Sequence, residues 1–308
     1  MKVFFAGASG VIGRSALPLL LSGGHEVVGT ASGVDGCAVI TSLGAQAVPW
    51  SSRSQPVDDL VDLVRAAQPD VVVTAVTDLK RLTGFGRLDR SLASTNALRE
   101  RVTAALVRSA ATSGAHVVAA SVAGWFSEGR TGRGPAPLLS GPPHDARETV
   151  AALRHLEEAV AVLGSHGTVL RFGALYGPGT SLGKGGSVLE DVAARRVPLV
   201  GSAGGMWSFC HVEDAGRAVA LAVTERPGGT YEIVDDDPVP VREWLPELAR
   251  LVDAPAPRRV PRWVVRLTVG PFAAHVMTAA RGGSNVTARD VGFVPRYASW
   301  RDGFAEAL

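Results

Sequence analysis

The chain has only two cysteines, Cys37 and Cys210, far apart and in neither a CxxC nor a Cys/His arrangement. That argues against a structural zinc site, fits a reducing compartment, and makes the protein read as cytoplasmic. A basic stripe and a polybasic block are also missing. The formal charge of +2 is spread along 308 residues, which removes nucleic acid and a membrane surface from the expected partners and leaves a small molecule. No uninterrupted membrane-spanning run occurs either. Trp263 to Ala280 is long enough but carries Arg266, His275 and an internal Gly-Pro, so it reads as a broken, partly buried helix. The N-terminal MKVFFAGASGVIG is interrupted by glycines and is better explained as strand, turn and helix than as a signal peptide. Repeats and low-complexity linkers are absent.

What is present is apolar mass, 46% of residues against 19% charged, enough for one large or two closely packed domains. Val-rich runs alternate with helix-like segments: KVFFA then 11–22, HEVVGT then 35–43, AQAVPW then 57–67. PDVVVTAV then precedes 88–113, AHVVAAS precedes the helix at 148–160, and TVLRFG closes the series. Such runs, bounded by Gly, Pro or Asp and each followed by an amphipathic helix, predict an α/β fold with a doubly wound parallel sheet. Gly and Pro cluster at 129–143, which predicts an exposed loop. After residue 174 the alternation becomes irregular. The expected organisation is a dinucleotide-binding domain over 1–173, with 212–235 returning to it, and a smaller substrate-binding lobe over 174–308.

GASGVIG follows the first strand and opens a helix. Glycine at Gly7 permits the tight turn, at Gly10 lets the backbone approach a pyrophosphate, and at Gly13 lets helix and strand pack closely, while the helix N-terminus supplies N–H groups. Gly7, Ala8, Ser9, Gly10, Val11, Ile12 and Gly13 are therefore candidate cofactor contacts.

The spacing GxxGxxG, together with PDVVVTAV, Asn96 opening NALRERVTAALVRSA, AHVVAASVAGW, LRFGALYGPG, FCHVEDAGRAVALAV, GGTYEIVDDDPVPVREW and TARDVGFVPRYASWRDGF, resembles the extended short-chain dehydrogenase/reductases, the NAD-dependent epimerase/dehydratase group. The resemblance covers nearly the whole chain and is strongest to an atypical subgroup of NAD(P)-dependent oxidoreductases with an AGW motif after the fifth-strand serine. It implies a Rossmann-type sheet, a nicotinamide dinucleotide, and further cofactor contacts at Ala75, Asn96, Ser121 and Phe172.

NAD sites place an acid about twenty residues beyond the glycine loop, whereas NADP sites use a basic residue. Here the second strand ends in Thr30, Ala31 and Ser32, and Asp35 arrives late. Thr30 and Ser32 are the candidate ribose contacts, and a 2'-phosphate would have to rely on Arg14, Arg53 and hydroxyl groups. The missing carboxylate favours NADP over NAD. The acid usually found after the third strand is replaced by the segment around Trp50 and Ser51.

In the resembling family a fifth-strand serine, a tyrosine and a lysine four residues later act together. The tyrosine exchanges a proton with the substrate oxygen as hydride moves, and the lysine lowers its pKa from about 10. Ser121 fits the serine. With Glu157 matched to the acid one helical turn after the lysine, Thr149 stands at the tyrosine position and Leu153 at the lysine position. A threonine hydroxyl does not ionise in an accessible range, and leucine offers no charge. A shift of one residue puts Val150 and Arg154 there, so Arg154 becomes a candidate contact to ribose or phosphate. Tyr176 in YGPG is the candidate substitute acid, with His144 and Asp145 as other donors; His211 reads as structural. Trp125, Phe126, Tyr176, Trp207, Trp263 and Met277 are candidate walls of an apolar pocket.

These residues imply an NAD(P)-dependent oxidoreductase or epimerase-like enzyme acting on a small neutral hydroxy or carbonyl compound with a non-standard proton donor. A non-redox isomerase, dehydratase or cyclase on the same fold, and a dinucleotide-sensing protein without turnover, stay open. The resemblance also suggests a homodimer through helices 88–113 and 145–163.

Overall fold

The computed structural model describes residues 1–78, 86–129 and 134–308. The loop expected at 129–143 lies in part outside the described residues. The first half alternates β1 (Lys2–Ala6), α1 (Val11–Ser22), β2 (Glu26–Ala31), α2 (Val34–Ser42), β3 (Gln46–Pro49), α3 (Val57–Ala67), β4 (Val71–Thr74), α4 (Leu88–Ser113), β5 (His116–Val122), α5 (Arg147–Ala161) and β6 (Gly167–Phe172). The second half gives β7 (Ala174–Tyr176), α6 (Ser187–Ala193), β8 (Leu199–Val200), β9 (Met206–Trp207), β10 (Phe209–His211), α7 (Val212–Glu225) and β11 (Gly229–Ile233). It ends with β12 (Val239–Pro240), α8 (Val241–Leu251), β13 (Arg259–Val260), α9 (Arg262–Thr268), α10 (Pro271–Thr278), α11 (Val286–Asp290) and α12 (Trp300–Ala307).

Seven strands form one parallel sheet in the order β11-β6-β5-β4-β1-β2-β3. This is a Rossmann-type doubly wound sheet. Along β1, Val3 and Phe5 enter the core under α1 and α7, while Phe4 and Ala6 enter the core under α3, α4 and α5, as the period of two in a strand requires. Both faces being covered, β4 and β6 are buried along their whole length, which is why they read as continuous apolar runs.

The strand order reverses between β1 and β4, and a doubly wound sheet binds its ligand in the crevice at that point. The two-stranded pairs β7–β10, β9–β12 and β8–β13 carry a separate aromatic core. It contains Trp207, Phe209, Trp244, Phe272, Trp300 and Phe304 and packs beside the carboxyl edges of β5 and β6. Residues 263–280 form two helices broken at Gly270, and among the described residues no helix is long and apolar enough to cross a membrane.

Candidate active site

The crevice begins at the glycine loop. Gly7 has φ +87°, and a Cβ there would lie 2.9 Å from the carbonyl oxygen of Ala75, so the loop leaving β1 presses directly on the end of β4. A Cβ on Gly13 would lie 2.2 Å from the carbonyl of Ala8. Gly10 caps α1 without a side-chain hydrogen bond, and no acid stands in the first turn. The opening N–H groups of α1 thus face the crevice with a positive dipole end and no side-chain acceptor, which fits a pyrophosphate.

Thr30 does not reach the crevice as a ribose contact. It is buried, its hydroxyl accepts a 3.3 Å hydrogen bond from the Gly7 N–H, and its carbonyl accepts from Ala8. Its work is to hold the glycine loop. Ser32 is exposed at the end of β2, and Ser9 lies against Gly36 of α2. The two arginines considered for a 2'-phosphate are engaged elsewhere: Arg53 pairs with Asp78 at 2.7 Å, and the guanidinium of Arg14 sits against Gly179.

The structure reassigns most of the expected catalytic set. Ser121 donates a 2.7 Å hydrogen bond to Glu157 Oε1, and Glu157 receives both Nε and Nη2 of Arg171. Arg171 also donates to the carbonyl of Ala136. Ser121, Arg171 and Glu232 are neighbours in register on β5, β6 and β11. Glu232 is fully buried, accepts from the Ser284 N–H, and has its pKa raised by burial despite the charges of Arg281 and Arg171. This polar row ties the sheet to α5 and to the segments at 136 and 281–284. Its sequence signal is a single charge inside each of two apolar strand runs, TVLRF and GTYEI, since a charge there must be paired.

Glu157 and Ser121 set the level of α5 on the sheet. Leu153, one turn towards the helix N-terminus, sits about 6 Å further out, and Ala123, two residues further along the strand, is about 6.6 Å further out. Ala123 and Leu153 thus mark the carboxyl edge. Both are buried and apolar. Thr149 is also buried: its hydroxyl donates to Asp89 and accepts from Asn96, and Asp89 accepts the backbone N–H groups of Glu148 and Thr149. Asn96 is buried, donates to the Thr149 hydroxyl and accepts from Arg99, so its amide is tied to α5 and α4. Thr149 therefore serves as part of the tertiary cap that starts α5.

Tyr176 does not enter the crevice. It is wholly buried among Phe209, His211 and Phe304, and its hydroxyl presses on Gly303. Burial, then the neighbouring Asp235, push its pKa up, which unsuits it as a proton donor. Arg154 is exposed and donates to the carbonyl of Leu139, clamping the loop over α5. Asp145 accepts from the N–H of Phe272 and starts α10, and His144 is exposed. His211 caps α7 by accepting from Glu213 N–H.

Among the expected pocket walls, Phe126, Trp207 and Met277 are core: Phe126 stacks on Phe272, and Trp207 donates to the carbonyl of Val276. Phe172 is core as well. Trp263 is 66% exposed. Trp125 alone of this group remains partly exposed at the carboxyl edge, set edge-on against Trp207 with ring centroids 4.7 Å apart. The turn that presents it uses Gly124 at φ +76°, where a Cβ would lie 3.0 Å from the backbone of Gly282.

Residues 3–234 match the NAD dependent epimerase/dehydratase family. The chain belongs to that family. A Streptomyces protein named 3-diazoavenalumate denitrifying reductase is 37% identical over 320 residues, spanning 98% of this chain and 99% of the relative. Among solved structures, UDP-glucose 4-epimerase of Thermus thermophilus with NAD aligns with a TM-score of 0.70 at 20% identity, over 100% of this chain and 97% of that one. A human epimerase family protein with NADPH aligns with a TM-score of 0.71 at 16% identity, over 100% and 99%. At those identities the structures share the fold. Family membership makes the chain an NAD-dependent oxidoreductase or epimerase-like enzyme with a nicotinamide dinucleotide, and the glycine loop fits that group. Within this epimerase/dehydratase family member none of Tyr176, Tyr231 and Tyr297 is followed four residues later by lysine.

Proposed function

We propose that this protein is a nicotinamide-dependent reductase that replaces a diazo group on an arene with hydrogen. The observation that supports the reading best is that Ala123 and Leu153 mark the carboxyl edge and neither carries a proton donor. Hydride addition to a carbonyl leaves an alkoxide that has to be protonated. An arenediazonium ion differs: as a C–H bond forms from hydride, the C–N bond breaks, its electron pair leaves with dinitrogen, and no proton is consumed. The Streptomyces relative bears a diazo substrate and denitrifying reduction in its name. When bound, the reduced dinucleotide supplies the hydride.

The chain's own residues bind and orient. The loop Gly7 to Gly13 holds the pyrophosphate, and residues 1–173 with 212–235 form the dinucleotide half while 174–308 build the substrate side. Trp125 offers a ring to the arene, and an aromatic face suits a cationic diazonium group. Val122, Ala123 and Leu153 keep water from the reacting carbon. The exposed Ser32 and the absence of a carboxylate at residues 30–33 favour NADPH over NADH. A homodimer through α4 and α5 belongs to the same reading and is checked by solution mass.

The test is turnover with arenediazonium salts, NADPH and NADH against the rate without enzyme. Dinitrogen released one-for-one with cofactor oxidation, without activity on aldehydes or ketones, is expected. Cofactor oxidation by ketones alone would overturn the assignment, and dinucleotide binding without turnover on any substrate would favour a sensing role.

A further inference from the structure

A basic and apolar face is concentrated in one stretch, residues 258–269, and the fold brings Arg87 to its rim. Val265 anchors α9 in the core of the second half. Trp263 and Leu267, one turn apart, point the other way and are 66% and 78% exposed, with Val269 beside them. Arg262 and Arg266 form the adjacent stripe of the same helix, and Arg258 and Arg259 precede it; all four are exposed. Gly86 packs on Val269 and the backbone of Arg87 approaches Gly270, which adds a fifth exposed arginine to the rim. Among the described residues none of these five arginines forms a salt bridge.

We propose that this face rests on an anionic lipid surface, with Trp263 and Leu267 inserted among the lipids and the arginines at the headgroups. Tryptophan and leucine flanked by arginine on a short surface helix match the chemistry of an interfacial element. The shape favours a membrane over an acidic protein. Side chains exposed by two-thirds or more stand proud of the surface, whereas a partner helix seeks a groove to lie in. An exposed apolar pair flanked by unpaired arginines suits a deformable, negatively charged layer. The contact is peripheral and does not depend on the reaction proposed above.

The experiment is flotation of the full chain with vesicles of phosphatidylcholine containing phosphatidylglycerol, and with vesicles of phosphatidylcholine alone. The protein is expected to float with the anionic vesicles only, and less so as salt rises. Arg262→Ser with Arg266→Ser should weaken partitioning on the order of 25-fold, at about fivefold per arginine, and Trp263→Ser with Leu267→Ser should abolish it. Both variants alter exposed side chains and should keep wild-type Tm and NADPH affinity. Absence of flotation, equal flotation with neutral vesicles, or indifference to both variants would overturn the proposal. Binding of soluble poly-glutamate at this face without flotation would do so too, assigning the face to an acidic protein.

Discussion

The Ser121 hydroxyl donates a hydrogen bond to Glu157 at 2.7 Å, across 36 positions of sequence. This bond fixes the level of α5 on the sheet and leaves Ala123 and Leu153 at the carboxyl edge. At those two positions, where a hydride could be directed, neither side chain can hand over a proton.

Ser121→Ala should therefore act on stability. A hydrogen bond to a charged, paired carboxylate contributes about 2 kcal/mol, so the urea midpoint should fall while kcat on a diazonium substrate stays at the wild-type value. Unchanged stability with a collapsed kcat would return Ser121 to the reacting atoms.

Gly7→Ala should strike the cofactor. The new Cβ would lie 2.9 Å from the Ala75 carbonyl at φ +87°, a conformation that costs an L-residue about 1–2 kcal/mol. A titration of NADPH fluorescence should show Kd raised by at least about tenfold. Wild-type affinity would mean that the dinucleotide does not follow this loop.

Trp125→Ala should separate substrate from cofactor. Loss of one aromatic contact corresponds to roughly a tenfold rise in KM for an aryl substrate, with NADPH affinity intact. An unchanged KM would remove Trp125 from the pocket.

His116 should govern acid stability. It is 3% exposed, its Nε2 lies 2.8 Å from the Thr168 hydroxyl, and burial, then the charges of His166 and Arg226, push its pKa down to about 4. The folded state holds it neutral while the unfolded chain protonates near 6.5, so its contribution is present above about 6.5 and is lost as pH falls towards about 4. Measured against His116→Gln, the wild type should lose up to about 3 kcal/mol more between those values. Parallel stability curves would show that the shift is absent.

The periodicity of 11–22, 57–67 and 88–113, closed by breakers, made the bounds of α1, α3 and α4 legible residue for residue, and the glycine loop was legible in its strand-turn-helix context. Side-chain roles were not, because each depends on a distant partner. Ser121 ends a strand like a catalytic serine, but its hydroxyl is committed to a hydrogen bond with Glu157. Tyr176 sits in a glycine loop that should open on the crevice, but Phe304, from the last helix, closes over it. Thr30 occupies the ribose position by count and instead turns its hydroxyl to Gly7. Four of the five arginines around α9 lie together at 258–266 and were legible as a cluster; only the packing of residues 86–87 against 269–270 adds Arg87 to them.

The origin of the hydrogen delivered to product tests the account most directly. With NADPH deuterated at the transferring position and an arenediazonium substrate in ordinary water, the account predicts one deuterium in the arene product. In deuterium oxide with unlabelled cofactor it predicts none, and no solvent isotope effect on kcat. Solvent deuterium in the arene, or a large solvent isotope effect on the chemical step, would show that the site moves a proton after all and contradict the reading of Ala123 and Leu153.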